Sequence, residues 1–204
     1  MIQIAVFVSG GGTNLQALID AEQAGKIHSG RLALVVASKP GVYALERAEK
    51  AGIPSVMVSR KDCAGQAEFE AKILAVLEEH HIDMIVLAGF LSILSADFTR
   101  RYPDRILNVH PALIPSFCGK GYYGLKVHEA ALAYGVKVTG ATVHYVNEIP
   151  DGGQILLQKA VEIQPGDTPE ILQRRVMEQA EWEILPKAVE IVAEKIAGES
   201  GIRS

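Results

Sequence analysis

The chain has 204 residues, a net charge of −4 and two cysteines, Cys63 and Cys118. That length suits a single α/β domain with room for a full core, and the mild acidity argues against a protein that binds nucleic acid through a basic face. Two cysteines do not make a disulfide framework, so we expect a reducing cytoplasm. Residues 1–8 lack the basic start of a signal peptide, and no apolar run approaches the ~20 residues of a membrane span, so no membrane association is expected.

The first segment of the chain reads as strand, glycine turn and helix. Residues 2–8 are almost all apolar, as in a parallel strand that is buried on both faces. Ser9-Gly-Gly-Gly-Thr-Asn14 follows, and then a helical pattern begins. Glycines let the backbone approach a ligand closely, and free amides at a helix N-terminus attract anions. The turn therefore predicts a phosphate site, with a tight turn that binds no ligand as the alternative.

Two side chains of this turn can serve the same purpose. Thr13 or Asn14 can cap the helix and also contact a phosphate. The turn is not a Walker loop, because no Gly-Lys-Ser/Thr ends it, and Leu15 breaks the dinucleotide pattern G-x-G-x-x-G. The turn therefore matches neither of these two phosphate-binding patterns.

Strands and helices alternate through the first half of the chain. Alternation of this kind predicts a parallel sheet with right-handed crossovers. The loop from Gly89 to Leu94 leaves the fourth strand and should line the crevice at the carboxyl ends of the strands, where open α/β sheets bind ligands. The predicted strands are 2–8, 32–37, 55–58 and 84–88, and the predicted helices are 15–21, 43–51 and 67–80.

An amide and an imidazole follow the next strand. Ile106 and Leu107 read as a short buried strand that Pro111 ends, because proline cannot donate to a sheet ladder. Asn108 and His110 lie two residues apart, so in extended geometry both side chains point the same way. An amide can donate to a developing oxyanion, and a histidine can donate or shuttle a proton near neutral pH. The alternative is a histidine that merely caps a strand end.

The C-terminal part of the chain changes character. Residues 111–124 form a long loop rich in proline, glycine and aromatic residues, and such loops in compact domains are often functional. The predicted fold is α/β and Rossmann-like, with a mostly parallel twisted sheet, an antiparallel C-terminal strand and helices on both faces. The remaining predicted elements are a helix at 126–134, a strand at 137–146, a turn at 147–153, an antiparallel partner strand at 155–161, a helix at 169–197 with a break near Pro186, and a frayed tail at 198–204.

Three features converge on one kind of chemistry. They are the glycine turn, the Asn108/His110 pair, and Asp151 on a turn flanked by glycines. A carboxylate near an imidazole favours the imidazolium and orients it, and together with Asn108 it can stabilise a tetrahedral oxyanion. No serine or cysteine occupies a nucleophile elbow, so the pattern predicts direct acyl transfer to a substrate amine without an acyl-enzyme.

A set of motifs follows in order along the chain: Ser9-Gly-Gly-Gly-Thr-Asn14, Ala88-Gly-Phe90, Asn108-Val-His-Pro111 with Leu113-Ile-Pro-Ser116, Gly140-Ala-Thr-Val-His144 and Asp151-Gly-Gly153. In this order the motifs resemble those of the phosphoribosylglycinamide formyltransferase family, from Met1 through the Pro186 region. The resemblance implies transfer of a formyl group from 10-formyltetrahydrofolate, as co-substrate, to the amine of 5'-phosphoribosylglycinamide in de novo purine biosynthesis.

The resemblance also implies how the protein is organised and which residues act. It implies no metal, only small-molecule substrates, and a monomer or weak homodimer in the cytoplasm. We expect one domain over residues 1–204, with a phosphate-binding half at about 1–105 and a folate and catalytic half at about 106–204. The implied catalytic residues are Asn108, His110 and Asp151; Gly12, Thr13, Asn14 and Glu181 would hold the ribose phosphate and the glycinamide; and Leu91, Ser92, Ile93, Leu94, Asn108, Asn147, Glu148, Ile149, Pro150 and Asp151 would bind the folate.

The chain departs from the family pattern in two places. Lys126 and the insert-like segment Cys118–Gly124 replace a shorter loop that bears a histidine in relatives. An arginine that contacts the folate in some relatives has no clear match, although Gln66 stands near its position. His144 belongs to the motif, and we interpret it as support for the strand face rather than as a proton carrier.

Three alternative functions remain. Formyltetrahydrofolate deformylase shares the Asn/His/Asp trio but carries an extra N-terminal domain and lacks this glycine turn. Methionyl-tRNA formyltransferase has an added C-terminal RNA-binding domain, whereas this chain shows no basic face. A non-catalytic nucleotide-binding module would leave the trio without a shared purpose.

Overall fold

The computed structural model describes residues 1–199 and residue 201. Its strands are β1 (Ile2–Val8), β2 (Gly30–Ala37), β3 (Ser55–Met57), β4 (Met84–Leu87), β5 (Ile106–His110), β6 (Val138–Tyr145) and β7 (Ile155–Glu162). Its α-helices are α1 (Thr13–Gln23), α2 (Tyr43–Lys50), α3 (Gln66–Glu79), α4 (Ala96–Thr99), α5 (Leu125–Tyr134), α6 (Pro169–Val176) and α7 (Trp182–Glu199), with a short 3-10 helix at Arg60–Asp62 and a π-helical segment at Met177–Glu181.

All seven strands form one sheet in the order β3-β2-β1-β4-β5-β6-β7. Strands β1 to β5 run parallel to one another, whereas β6 runs antiparallel to both β5 and β7. The mostly parallel sheet with its antiparallel C-terminal strand is therefore confirmed. The chain moves outward from β1 to β3 and then returns to β4 on the other side of β1. The carboxyl ends of β1 and β4 thus flank the crevice at which open α/β sheets bind ligands.

Helices cover the sheet on both faces. Along β1, Ile4 and Val6 face one hydrophobic core, whereas Ala5 and Phe7 face the other. Helices α1, α2, α6 and α7 contribute to the first core, and α3 contributes to the second. A strand that is buried on both sides needs an unbroken apolar run, which is the pattern of residues 2–8. No helix in the described part of the chain is long and apolar enough to cross a membrane.

The start of α1 differs from the prediction. Gly12 occupies the N-cap position at φ 72°, and no side chain caps the helix, so the predicted cap by Thr13 or Asn14 is wrong. Both residues lie in the first helical turn and contact the C-terminal helices instead. Thr13 Oγ1 is 3.7 Å from Met177 Sδ, and Asn14 Nδ2 donates to Glu181 Oε2. The left-handed backbone at the cap favours glycine.

The C-terminal helix also differs from the prediction. Its break is the π-helical segment Met177–Glu181, and Pro186 lies inside α7. A proline ring clashes with the carbonyl four residues earlier, here that of Trp182, so the distortion falls just before the proline rather than at it. Helix α7 continues to Glu199 and includes Gly198, which was predicted to fray. Residues 200 and 202–204 of the predicted tail lie outside the described residues.

Candidate active site

Strand pairing and one tight turn bring the predicted catalytic side chains together. In the β5–β6 pair, Asn108 lies opposite His144. The turn after β6 carries Asp151 at φ 57° and folds closely onto the end of that strand. A Cβ at Gly153 would lie 1.7 Å from the Tyr145 carbonyl oxygen. Only glycine permits this approach, and the approach returns the Asp151 carboxylate to β5.

The Asp151 carboxylate is the centre of a polar cluster. Its Oδ1 lies 3.5 Å from Asn108 Nδ2 and 3.5 Å from His144 Nε2. Its Oδ2 lies 3.6 Å from His110 Nδ1 and accepts a hydrogen bond from the Gly119 N–H at 2.8 Å. The structure therefore brings together all three predicted catalytic residues and adds His144, which we had assigned only a supporting role.

Backbone carbonyls select the histidine tautomers. His110 Nε2 lies 2.8 Å from the Phe117 carbonyl oxygen, and His144 Nδ1 lies 2.8 Å from the Tyr145 carbonyl oxygen. A carbonyl only accepts, so each of these nitrogens carries a hydrogen. In neutral His110 the lone pair is then on Nδ1 and faces Asp151. The expectation that Asn108 and His110 both donate to one oxygen thus holds only when His110 is protonated.

Burial and charge act in opposite directions on this cluster. Burial lowers the pKa of His110 below its ordinary value of 6.5, and the nearby Asp151 carboxylate offsets only part of that effect. Burial alone would raise the pKa of Asp151, but the hydrogen bond with His144, the positive charge that His110 carries in acid and the Gly119 N–H outweigh it and leave the pKa below 3.8. At neutral pH the free protein therefore holds an ionised Asp151 beside a neutral His110.

A small crevice opens beside the cluster, with a cavity volume of about 110 Å³. His110 does not line it; only 4% of this residue is exposed, and it contacts the crevice through Asp151. Of the predicted folate residues, Leu91 and Glu148 also lie outside the crevice wall. The wall consists of Leu87, Phe90, Ser92, Ile93, Leu94, Asn108, His144, Val146, Asn147, Ile149, Pro150 and Asp151.

The crevice loop 89–95 is attached at both ends by buried polar groups that sequence reasoning missed. At its start, the Leu91 N–H donates to Ser9 Oγ at 3.0 Å. At its end, the Glu70 carboxylate accepts from Ser95 N at 2.7 Å and from Ser95 Oγ at 2.5 Å. Gln66, near the position of the missing arginine, donates to Glu70 and to the Ile93 carbonyl, so its amide holds the loop.

The glycine turn leaves its backbone donors free. Among the described residues, no hydrogen bond uses the backbone N–H of Gly11, Gly12, Thr13 or Asn14. These amides surround the N-terminus of α1, which is an electropositive end. We call residues 10–14 the cradle. A larger groove of about 840 Å³ runs from Thr13 between α1 and α7, away from the Asp151 cluster.

Glu181 closes the other side of the cradle. Its Oε2 accepts from Asn14 Nδ2 at 2.7 Å, and only 6% of the residue is exposed. Burial raises the pKa of Glu181 to about 7, because a single hydrogen bond from Asn14 does not replace the lost hydration. Asn14 Oδ1 is buried and has no hydrogen-bond partner among the described residues. The pair thus presents buried acceptors that suit a ligand with hydroxyl or amine donors.

The long loop after β5 contributes backbone rather than side chains. Phe117 and Gly119 supply the carbonyl and the N–H that hold His110 and Asp151. Lys126 Nζ donates to the Tyr123 hydroxyl at 3.2 Å, and Tyr123 belongs to the same loop. Burial, together with the nearby Asp151 carboxylate, raises the pKa of the Cys118 thiol, which disfavours the reactive thiolate form.

Known proteins resemble the chain over nearly its full length. A family model described as formyl transferase matches residues 2–189. The human trifunctional purine biosynthetic protein adenosine-3 is 44% identical over 191 residues, 94% of this chain and 18% of that protein. The phosphoribosylglycinamide formyltransferase of Haemophilus influenzae is 41% identical over 189 residues, 93% of this chain and 86% of that protein. Glycinamide ribonucleotide transformylase 1 from Symbiobacterium toebii has a TM-score of 0.89 at 39% identity, covering 96% of this chain and 89% of that one.

The chain covers very different shares of the lengths of its relatives. The chain spans only 18% of the length of the human and bovine trifunctional proteins, but most of the Haemophilus protein. The match to the family model includes all seven strands, the cradle and the Asp151 cluster. The chain therefore belongs to the formyl transferase family, among the phosphoribosylglycinamide formyltransferases.

Proposed function

We propose that this protein transfers a formyl group from 10-formyltetrahydrofolate to the amine of 5'-phosphoribosylglycinamide, a step of de novo purine biosynthesis. The observation that carries the proposal is the convergence of Asn108, His110 and Asp151 beside a crevice. The cradle follows β1 at the same edge of the sheet. Family membership supports the same reaction.

Asn108 is the oxyanion donor in this reaction. The amine attacks the formyl carbon, and negative charge develops on the formyl oxygen. Asn108 lines the crevice, and one N–H of its amide lies toward His144 Nε2 at 3.1 Å. The second N–H, which in the free protein makes only a long contact of 3.5 Å to Asp151 Oδ1, is the one that donates to the oxyanion. A donor of this kind is worth about 100- to 1000-fold in turnover.

The Asp151–His110 pair handles the proton. The attacking amine loses a proton as its bond to the formyl carbon forms, and Asp151, directly or through a water, passes that proton to the free Nδ1 of His110. The imidazolium is then held by the Asp151 carboxylate and the Phe117 carbonyl. The proton returns to N10 of the folate as the carbon–N10 bond breaks, which leaves formylated glycinamide and tetrahydrofolate.

The ribonucleotide lies between the cradle and the cluster. The backbone N–H groups of Gly12, Thr13 and Asn14 bind the phosphate, because they are free donors at a helix N-terminus. Glu181 and Asn14 Oδ1 accept hydrogen bonds from the sugar or glycinamide donors. In the free protein these acceptors have too few donors, and the ligand supplies them.

The crevice takes the pterin ring of the folate. Ile93 and Leu94 form one apolar side, and the turn residues Asn147, Ile149 and Pro150 form the other. Apolar walls with a few polar groups suit a flat heterocycle. Leu91 is exposed just outside the crevice, and Leu91, with Glu148, meets the part of the folate beyond the pterin ring.

Four further parts of the proposal come from the sequence. The protein uses no metal, binds small-molecule substrates only, acts as a monomer or weak homodimer, and is cytoplasmic. We retain a single domain over residues 1–204, but of the proposed sites only the catalytic trio lies entirely on one side of residue 105. Glu181 contacts Asn14 of the cradle, and the crevice is lined from the other half by Phe90, Ser92, Ile93 and Leu94. Sedimentation velocity would overturn the oligomeric part by showing a stable higher oligomer.

A spectrophotometric assay with 10-formyl-dideazafolate and phosphoribosylglycinamide tests the reaction. We expect loss of the formyl group only when the ribonucleotide is present. Release of formate without the ribonucleotide would indicate a deformylase, and binding of both ligands without turnover would leave a binding module. Either result would overturn the proposal.

A further inference from the structure

The carbonyl groups of the glycine turn all point away from the free N–H groups. Gly10 O accepts from Ala44 N at 3.3 Å, Gly11 O from Arg47 Nε at 2.9 Å, and Gly12 O from Gln16 N at 2.9 Å. In a trans peptide the C=O and the following N–H point in opposite directions. Holding Gly11 O against Arg47 therefore directs the Gly12 N–H to the opposite side, into the cradle. Helix α2 supplies two of the three donors.

Arg47 is itself held in one orientation. Its Nη1 donates to Gln16 Oε1 at 2.8 Å, and its guanidinium lies 4.8 Å from the centroid of the Tyr43 ring. A Cβ at Gly12 would lie 3.4 Å from Arg47 Cδ and 2.7 Å from Ala44 Cβ, so the turn packs directly onto α2. A planar fork with two fixed donors can hold such a geometry, which a single ammonium group cannot.

We propose that Arg47 is a positioning residue for phosphate binding, because its guanidinium orients the Gly11–Gly12 peptide so that the Gly12 N–H faces the anion. The inference rests on the proposed function for the identity of the phosphorylated substrate, but not for the phosphate site itself. The side chain acts through the backbone, and its charge alone is not sufficient. Any phosphomonoester that enters the cradle depends on Arg47 in the same way.

The chain offers a matched control for charge. Lys50 lies on the same helix, 5.3 Å from the same Tyr43 ring, and its hydrogen bond is to the Tyr43 hydroxyl. Lys50→Met removes one positive charge without touching the turn. Arg47→Met removes both the charge and the donors, and Arg47→Lys keeps the charge but loses the fork.

The test is titration of each variant with inorganic phosphate and with ribose 5-phosphate, with phosphorus NMR as the readout of the dissociation constant. Arg47→Met removes a hydrogen bond from a charged donor to a backbone acceptor. This loss should raise the dissociation constant for each phosphate ligand about tenfold. Arg47→Lys should recover little of that loss, and Lys50→Met should change the constant by less than about twofold. In the formyl-transfer assay, Arg47→Met should raise KM for the ribonucleotide while kcat and KM for the formyl donor stay unchanged.

Unchanged phosphate affinity in Arg47→Met would overturn the inference. Equal losses in Arg47→Met and Lys50→Met, or full affinity in Arg47→Lys, would overturn it as well by showing that only charge matters. If circular dichroism shows Arg47→Met to be unfolded, Gln16→Met decides. That variant frees the guanidinium on one side and should raise the dissociation constant about threefold; a wild-type constant would refute the inference. Absence of formyl transfer in the wild type would refute the proposed function and leave the phosphate titration valid.

Discussion

Replacing Glu181 with glutamine should stabilise the free protein above neutral pH. Burial raises the pKa of Glu181 from 4.5 to about 7 in the folded state. The stability that this group contributes is present in full below pH 4.5 and is lost as the pH rises through 7. At about 1.4 kcal/mol for each pH unit between the two pKa values, the loss reaches about 3 kcal/mol at pH 8.5 and stays below about 1 kcal/mol at pH 5.

Glutamine has the shape of protonated glutamate and keeps the acceptor that Asn14 Nδ2 uses. For a chain of this size, about 3 kcal/mol corresponds to a rise in Tm of about 6–12 °C. Calorimetry of both proteins at pH 5 and pH 8.5 measures the difference. Glu178→Gln is the control, because Glu178 is an exposed carboxylate in the same π-helical segment. An equal gain at both pH values, or no gain at pH 8.5, would refute the reasoning.

Three other predictions follow from the site. Ligand hydroxyls favour ionised Glu181, so ribonucleotide binding at pH 7 should release a fraction of a proton; calorimetry in buffers of different ionisation enthalpy should show this in the wild type but not in Glu181→Gln. Asn108→Ala should lower kcat about 100- to 1000-fold with little change in either KM; a kcat near wild type would remove Asn108 as oxyanion donor. Gly153→Ala should cost about 2–4 kcal/mol in urea unfolding, more than Gly152→Ala, because the added Cβ would lie 1.7 Å from the Tyr145 carbonyl oxygen at Gly153 but 2.6 Å from Ile149 Cγ2 at Gly152; equal costs would contradict this.

The parts of the fold that could be predicted depend on local periodicity. Strand β1 is an unbroken apolar run because it is buried on both faces, and the structure places it within the predicted bounds. Asn108 and His110 share a face because strand side chains alternate, and the structure brings both to Asp151. A glycine turn before a helix likewise indicated where free amides would gather.

The parts that could not be predicted depend on register and on backbone atoms. His144 meets Asp151 because β6 pairs with β5 in one particular register, which no local pattern specifies. The one available signal was the alternation of Thr142 and His144 as polar residues in the second half of the strand. Phe117 acts through its carbonyl oxygen, so its side-chain identity gives no indication of its role.

Tertiary contacts also overrode two local rules. Asn14 was predicted to cap its helix, but Glu181, 167 residues later in the chain, takes its amide. Glu70 lies at a helical position where a carboxylate is usually solvated, yet it is buried because Ser95 supplies two donors. Long-range partners of this kind are invisible in a single sequence.

The catalytic role of the Asp151–His110 pair is tested most directly by the single-turnover rate of Asp151→Asn with both substrates saturating. We predict a rate at least about 100-fold below wild type, with the dissociation constants of both substrates unchanged within about threefold. His110→Ala should show a comparable loss, and the double variant should be little worse than the poorer single one, because the pair acts as a unit. A rate near wild type in Asp151→Asn, or a loss of substrate binding that accounts for the whole defect, would contradict the account.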